Sequence, residues 1–441
     1  MSAPPLSAWD VPAYRTYLAA RALAMAGGAL TLVALPVLVY RLTGSATLTA
    51  LMAAAETLPY LVLGLPAGAL VDRWHRRRVL VGTSLGVALL LAAIPLADAV
   101  GVLTYPQLLL TGLLVGALFV FADAASFGVV PQMVGRERVA SATSLLVTVG
   151  TAISVAGPVV AGVLVATLPV ALVIGLDAAA HLVAGLVLAR LRWEGSETRP
   201  AVAAGGGSRR TRLGADILEG LRFVLGQPVV RALTLLGIGC SLAGGAVAGL
   251  VVVIGVERLG LGAEDAAIGW LFAAGALGTF VASLALPRLQ QRVGVGIITT
   301  CGFAVAAVAV GALSATTSLV LALVLLACFH LASTTLIVNG IVVRQVVTPD
   351  ALQGRVNTTA RMIAWGGSPL GAAAAGVVAG TAGVEWALRL AAGALLVSLV
   401  GALVWGVARY PRLAALEVER AEPGRARKCA PGAARTERER S

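Results

Sequence analysis

The sequence predicts an all-α membrane protein with about twelve transmembrane helices in two pseudo-symmetric six-helix bundles. Three observations predict this fold class. Hydrophobic residues make up 59% of the 441 residues, charged residues make up only 12%, and mean hydropathy is +0.93. Apolar runs of about 20 residues, the length that crosses a bilayer core, recur along the chain. The basic residues fall mainly in alternate connections between those runs.

Six apolar spans are predicted in each half of the chain. The first-half spans are 16–40, 48–70, 79–100, 106–130, 142–166 and 169–190, and the second-half spans are 231–255, 266–287, 293–315, 318–341, 357–380 and 384–408. This pattern divides the chain into an N-terminus (1–15), a first bundle (16–190), a polar linker (191–230), a second bundle (231–408) and a charged tail (409–441). The Gly- and Arg-rich linker has room for one short surface helix around 215–225, and disorder is expected for the tail.

Arginine placement predicts which side of the membrane each connection occupies. The even-numbered connections, the linker and the tail are rich in arginine, whereas the other connections hold only Arg41 and Arg258. The positive-inside rule therefore puts both termini and the linker in the cytoplasm of a multi-pass protein of the inner membrane. The net charge of +12 reflects this asymmetry. Topology and anionic lipid explain it, so no nucleic-acid partner is predicted.

Several other classes of protein lack their signatures in this sequence. The single lysine, Lys428, lies in the tail, so no P-loop of an ATP-driven pump is present. The three histidines, His75, His181 and His330, are far apart and form no metalloprotease motif. The four cysteines have no metal or redox spacing. We therefore predict neither an enzyme nor a cofactor or metal; a receptor or scaffold stays possible but needs no matched halves.

One cytoplasmic loop and several dispersed motifs resemble a known family. The stretch from Gly68 to Arg78 resembles the signature loop between helices 2 and 3 of the major facilitator superfamily, although His75 stands where that family usually has a second glycine. Further matches are Leu42–Ser45, Leu58–Pro59, Pro131–Val134, Arg344–Asp350, Gly354–Val356 and Pro369–Gly371. These fit the branch of twelve-span drug:proton antiporters that contains enterobactin exporters and macrolide-efflux transporters.

The resemblance implies a secondary active transporter with the major facilitator fold. It implies proton-coupled efflux of a small amphipathic compound, such as a drug, antibiotic or siderophore-like metabolite, by alternating access in a monomer. The ligand is expected near the bilayer midplane between the halves. An uptake permease shares the same fold and loop, so it remains the alternative function.

Two motifs are predicted to serve the conformational change. The resemblance implies a latch between the halves on the cytoplasmic side, with Asp72 as the anion and with Gly68, Arg73, Arg76 and Arg77. Gly68 would let helix 2 approach a neighbour closely; the alternative is that these arginines only set topology. Helix 5 carries a second motif that resembles the Gly-Pro motif of antiporters: Gly150, Gly157, Pro158 and Gly162. A helix-packing seam is its alternative function.

Ionisable residues inside the spans are candidates for coupling or substrate binding, because a charge in lipid is costly. They are Glu56, Asp123, Asp177, His181, His330 and Arg21. Glu56 ranks first, because no basic residue lies within a turn or two of it. Asp177 and His181 share a helix face, but Asp177 also suits a structural brace. His330 suits a packing residue, and Arg21 suits either snorkelling or pairing with an acid. Residues 110–122 lack the intramembrane arginine common in the superfamily, which weakens the usual proton-relay scheme.

Overall fold

The computed structural model describes residues 7–71, 74–191, 209–349 and 352–413. Of the residues in those ranges 89% are helical, and none of them forms a strand. The first half contains α1 (Pro12–Thr43), α2 (Ala46–Val71), α3 (Arg76–Ala99), α4 (Tyr105–Val134), α5 (Val139–Thr167) and α6 (Val170–Arg190). The linker contains α7 (Arg209–Gly226). The second half contains α8 (Pro228–Val253), α9 (Ala267–Arg292), α10 (Val295–Leu313), α11 (Leu319–Val347), α12 (Gln353–Trp365), α13 (Gly367–Ala382) and α14 (Val384–Val404).

Twelve candidate spans lie within the described ranges, as the apolar pattern predicts. The span predicted at 357–380 is broken into α12 and α13 at Gly366. The break follows from Pro369, which has no N–H to donate to the carbonyl of Trp365 one turn earlier. The first span begins at Pro12, four residues before its predicted start. Proline suits this position because the first turn of a helix leaves its N–H groups unbonded in any case.

Each half is a bundle in which equivalent helices make equivalent contacts. In the first half α1 packs on α5 and α6, α3 packs on α4 and α6, and α2 packs on α4. In the second half α8 packs on α13 and α14, α10 packs on α11 and α14, and α9 packs on α11. Buried apolar side chains from both halves form one continuous core. The halves therefore meet as packed bodies.

Both ends of the described chain are attached to the same side of the bundle as the linker helix. The backbone N–H of Ala8 donates to Ser141 Oγ at the start of α5 (3.1 Å), and Val295 N donates to Pro411 O at the start of α10 (3.1 Å). We refer to this side as the linker face and to the opposite side as the far face. The expected linker helix is α7, which is longer than predicted. It is held by Val224, which is buried against Val230, Val356 and Ala360.

Candidate functional site between the two halves

The first contact between the halves is a backbone crossing of α5 and α9 near the far face. A Cβ atom on Gly162 would lie 2.5 Å from Ala266 O and 2.9 Å from Gly269 Cα. A Cβ on Gly269 would lie 2.2 Å from Pro158 O. Only glycine permits this approach without a shift of backbone, as in close helix pairs in lipid generally. The end of the helix-5 motif is therefore a seam between the halves.

A second seam joins α2 to α13 and α8, also near the far face. Thr47 Oγ1 donates to Gly376 O at 2.8 Å. A Cβ on Gly376 would lie 2.7 Å from Ala50 Cβ, and one on Gly249 would lie 3.2 Å from the same atom. These are the second and fifth spans of opposite halves, as in the α5–α9 crossing. The two seams are thus pseudo-symmetric counterparts.

Polar contacts across the halves accompany both seams at the far face. Arg41, at the end of α1, pairs with Glu264 in the α8–α9 connection at 2.6 Å. Beside it, Tyr40 Oη donates to Glu257 at 3.2 Å. Together the seams and these contacts hold the far face closed.

Exposure along α5 shows that the same interface opens toward the linker face. Ser144, Thr148 and Thr151 share a helical face with Gly162, because they precede it by whole turns. Gly162 is buried, whereas Ser144 and Thr148 are exposed. The face of α5 that packs on the second half at one end is therefore uncovered at the other.

The α2 helix shows the same gradient of exposure. Ala50 is fully buried in the seam, while Thr57, on the same face, is exposed. The contacts of α2 with the second half extend to Leu61, which touches Gly366. Beyond it, a Cβ on Gly68 would meet no described atom within 4 Å. The close approach predicted for Gly68 stays a prediction, since no described residue lies against it in this conformation.

A charged cluster of the first half joins three helices. Tyr60 Oη of α2 donates to Asp123 Oδ2 of α4 at 3.3 Å. Arg21 of α1 is the cation whose charge acts on the Asp123 carboxylate. Of the acids considered as partners of Arg21, the structure brings Asp123 to it. A cation, an anion and a phenol thus form one polar group inside the membrane-spanning bundle.

Glu56 lies one turn from Tyr60 on α2. It lies next to α4 at the positions of two glycines, Gly112 and Gly116. A Cβ on Gly112 would lie 3.2 Å from Glu56 Cγ, and one on Gly116 would lie 2.3 Å from the Glu56 carbonyl oxygen. Within the described ranges, no hydrogen bond or ion pair reaches the Glu56 carboxylate. The two glycines of α4 therefore let α2 approach closely at Glu56, whose carboxylate has no partner among the described residues.

Asp177 and His181 contact each other as predicted, but at the interface of α6 with α1. His181 Nδ1 lies 2.7 Å from Asp177 Oδ1, and Thr31 Oγ1 of α1 donates to Asp177 Oδ2 at 2.5 Å. Gly27 makes space for the carboxylate, since a Cβ there would lie 2.3 Å from Asp177 Oδ1. Both carboxylate oxygens are bonded, so this arrangement has the geometry of a brace between α1 and α6.

His330 of α11 packs against α9. A Cβ on Gly275 would lie 2.8 Å from His330 Cδ2, and one turn later Thr334 Oγ1 donates to Thr279 Oγ1 at 3.2 Å. These contacts join neighbouring helices within the second half. His330 therefore has the surroundings of a packing residue.

The signature loop is only partly within the described ranges, because Asp72 and Arg73 lie outside them. Arg76 Nη1 donates to Gly128 O of α4 at 3.1 Å. Arg77 donates to the carbonyls of Leu188 (3.4 Å) and Ala189, at the end of α6. The last carbonyls of a helix have no partner of their own and carry partial negative charge. In this conformation both arginines therefore tie α3 to helices of the first half.

The remaining motif glycines of α5 face α1. A Cβ on Gly150 would lie 2.6 Å from Met25 Cε, and one on Gly157 would lie 2.5 Å from Ala29 Cβ. Sequence reasoning did not single out Arg41, Glu264 or Gly269. The signal for the first pair was weak, since two exposed charges in short connections look like ordinary surface residues. Gly269 could have been found as the small residue opposite Gly162 in a symmetric pairing of spans.

Twelve spans in two packed halves, with a cleft open at one face, are the architecture of a secondary transporter of small molecules. Residues 3–425 match the family profile described as transmembrane secretion effector. The chain belongs to this family of major facilitator transporters. It is a multi-pass membrane protein.

Two relatives are similar over most of the chain. The multidrug efflux pump Tap of Mycolicibacterium fortuitum is 31% identical over 378 residues, which cover 82% of this chain and 87% of Tap. The enterobactin exporter EntS of Escherichia coli O6:K15:H31 is 30% identical over 364 residues, which cover 78% of this chain and 80% of EntS.

A solved bacterial homologue of the iron transporter ferroportin has the same fold. Its inward-facing structure aligns at a TM-score of 0.70 with 17% identity, covering 91% of this chain and 99% of that one. Its outward-facing structure aligns at 0.58 with 16% identity, covering 89% and 99%.

Proposed function

We propose that this protein exports a small amphipathic compound by alternating access, coupled to proton entry, and works as a monomer. The observation that carries the proposal is the asymmetric cleft. Its far face is closed by the Gly162–Gly269 crossing and the Arg41–Glu264 pair, while hydroxyl side chains of α5 are uncovered toward the linker face. Alternating access requires this arrangement and a second one in which the far face is open and the linker face is closed.

Charge distribution supports a cytoplasmic linker face. Two arginine-rich segments in the described ranges, 76–78 and 288–292, lie at that face. On this orientation both termini and the linker are cytoplasmic, and the present conformation receives cargo from the cytoplasm. The basic residues then meet anionic lipid, and no role for nucleic acid is needed.

Export is favoured over uptake by the relatives. One is named a multidrug efflux pump and another an enterobactin exporter, and both are similar to this chain over more than three quarters of its length. A drug-like or siderophore-like amphipathic compound is the corresponding cargo. An uptake permease of the same fold would have the same cleft, so the direction of transport needs measurement.

The coupling proton would be carried by the first half. Among the described residues none pairs with the Glu56 carboxylate, and the Arg21–Asp123–Tyr60 cluster lies about one turn closer to the linker face. Protonation of such groups can favour one facing state over the other, which coupling requires. The Asp177–His181 pair would be a brace in this scheme.

Accumulation assays test function and direction together. Cells with and without the protein are loaded with a panel of fluorescent amphipathic dyes, and the assay is repeated after the proton gradient is collapsed. Lower accumulation that depends on the gradient supports the proposal. Gradient-dependent higher accumulation would establish uptake instead, and export that survives collapse would remove proton coupling.

Orientation is tested by cysteine labelling in a cysteine-less background. Gln291→Cys lies on the linker face and Thr317→Cys on the far face, and both positions are exposed. A membrane-impermeant maleimide applied to intact cells should modify only Thr317→Cys. Modification of Gln291→Cys alone would show that the linker face is extracellular and would contradict the proposed orientation.

A further inference from the structure

An apolar groove lies between α13 and α14 near the far face, away from the cleft between the halves. Its lining residues are Val378, Ala382, Trp386, Arg389 and Leu390. The cavity volume of about 430 Å³ falls within the range of small-ligand pockets, roughly 300–1,000 Å³. One charged side chain thus stands beside an otherwise apolar cavity.

The groove opens on the surface of α14 that faces hydrocarbon. Trp386 (56% exposed), Leu390 (52%), Val397 (73%) and Val404 (75%) follow one stripe of that helix. A stripe of exposed apolar side chains on a span is covered by lipid. Trp386 stands at the far-face end of this stripe, the level at which tryptophan is enriched in membrane proteins.

Arg389 is fixed at the groove by its neighbours. Its guanidinium lies 4.7 Å from the centre of the Trp386 ring, in cation–π geometry. Glu385 is 3.9 Å away and is also bonded by Arg258, so two guanidinium groups share one carboxylate. This group of three carries a net charge of +1. Arg389 therefore retains hydrogen-bonding capacity for an anion.

We propose that this groove binds an anionic phospholipid of the far-face leaflet. An acyl chain lies along Val378, Ala382 and Leu390, and the phosphate accepts hydrogen bonds from Arg389, whose planar fork suits phosphate. A lipid satisfies both the apolar lining and the unbalanced cation, which free phosphate does not. The proposal is independent of cargo and of the direction of transport.

The groove shares a helix with the seam between the halves. Gly376 and Gly380 of α13 pack on Thr47 of α2, while Val378 and Ala382 of the same helix line the groove. The groove therefore lies on the side of α13 opposite the seam with α2.

Tryptophan quenching tests the lipid directly. The protein is placed in nanodiscs containing a minor fraction of phosphatidylglycerol or of phosphatidylcholine with brominated acyl chains. The signal of Trp386 is the difference between wild type and Trp386→Phe. We expect stronger quenching by phosphatidylglycerol, and about tenfold weaker phosphatidylglycerol binding in Arg389→Gln, the loss of one charge-assisted contact.

Matched variants separate the site from general charge effects. Arg389→Lys should retain part of the preference, because lysine binds phosphate as a point charge. Arg288→Gln removes an exposed arginine from the linker face and should keep the full preference. Equal quenching by the two lipids, or a preference that persists in Arg389→Gln, would overturn the proposal. Loss of the preference on adding inorganic phosphate would assign the site to a free anion instead.

Discussion

Arg41 and Glu264 form an ion pair between the two halves of the protein, with 2.6 Å between the guanidinium and the carboxylate. Arg41 lies in the last turn of α1 in the first half, and Glu264 precedes α9 in the second half. The pair joins segments that must separate when the far face opens. Both side chains are about half exposed, so water and salt weaken their attraction.

Removing this pair should shift the conformational balance modestly. Exposed ion pairs contribute about 0.2–1 kcal/mol, so Arg41→Gln or Glu264→Gln should lower the ratio of far-closed to far-open protein by about 1.5- to 5-fold. Spin labels at Val100 of the first half and Thr317 of the second, both at the far face, would report the shift as a change in their distance distribution by pulsed electron paramagnetic resonance. The swapped pair Arg41→Glu with Glu264→Arg should restore the ratio. Equal shifts in the swap and in the single variants would contradict the ion-pair mechanism.

Gly162→Ala should have a larger effect on the same face. The new Cβ would stand 2.5 Å from Ala266 O, a backbone atom that cannot yield without moving α9. We expect the labelled far face to open and transport to fall severalfold. Gly82→Ala is the matched control, because a Cβ there meets no described atom within 4 Å. Full transport in Gly162→Ala would mean that the seam is not tight in the working protein.

Gly68→Leu should act in the opposite sense. A Cβ at Gly68 meets no described atom within 4 Å in the present conformation, so the added side chain should leave folding and far-face closure intact. It should block closure of the linker face, because Gly68 shares its helical face with the seam residue Ala50. We expect lost transport together with a larger far-closed population. Normal transport would show that α2 does not approach the second half at this level.

The spans and the helix-5 motif illustrate what the sequence could and could not predict. The twelve spans could be predicted because each must by itself be long and apolar enough to cross the bilayer. The break at Gly366 was not predicted, because it depends on Pro369, which lies close after it in the same span. Pairings between helices were harder, since the helix-5 motif has packing and coupling interpretations until its neighbour is known. Gly162 shows the point: its role follows from Gly269, a residue more than a hundred positions later.

The buried ionisable residues divide in the same way. The spacing of Asp177 and His181 predicted their contact, because residues four apart share a helix face. Nothing in the sequence indicated that Thr31 would occupy the other carboxylate oxygen, since that bond depends on how α1 packs on α6. The sequence predicted only in part that Glu56 has no described partner. It shows no basic residue near Glu56 along α2, but it does not show that the facing positions of α4 are Gly112 and Gly116.

Asp72→Asn tests the latch predicted for the signature loop. The substitution removes the charge and keeps the shape, and a charge-assisted contact contributes roughly 1.5–3 kcal/mol. Transport should therefore fall strongly while membrane insertion, followed by size-exclusion of a fluorescent fusion, stays normal. Arg78→Gln, in the same loop, should transport normally if that arginine only sets topology. Unimpaired transport by correctly folded Asp72→Asn would leave the loop as a topology signal.

Glu56 is predicted to be the acid that couples proton movement to export. Its side chain packs against Gly112, its backbone carbonyl oxygen lies against Gly116, and no described residue pairs with its carboxylate. An acid kept unpaired within a span is a candidate functional residue, so Glu56 is the candidate proton carrier. Release of the proton or replacement by a cationic cargo changes the charge beside α4 and so favours different facing states. Glu56→Gln imitates the permanently neutral form. It should abolish gradient-driven export and flatten the pH dependence of transport, while cargo still binds.

Two further variants make the Glu56 prediction specific. Glu56→Asp keeps a carboxyl group that can bind and release a proton and should retain part of the activity. Asp98→Asn removes an exposed acid at the far end of α3 and should export with normal pH dependence. Dye export from inverted vesicles, measured across a range of pH with an imposed gradient, compares all four proteins. If Glu56→Gln exports at the wild-type rate with unchanged pH dependence, coupling must be carried elsewhere. Asp123 would then be tested next, because it already interacts with a cation and a phenol that could transfer its charge state to α1 and α2.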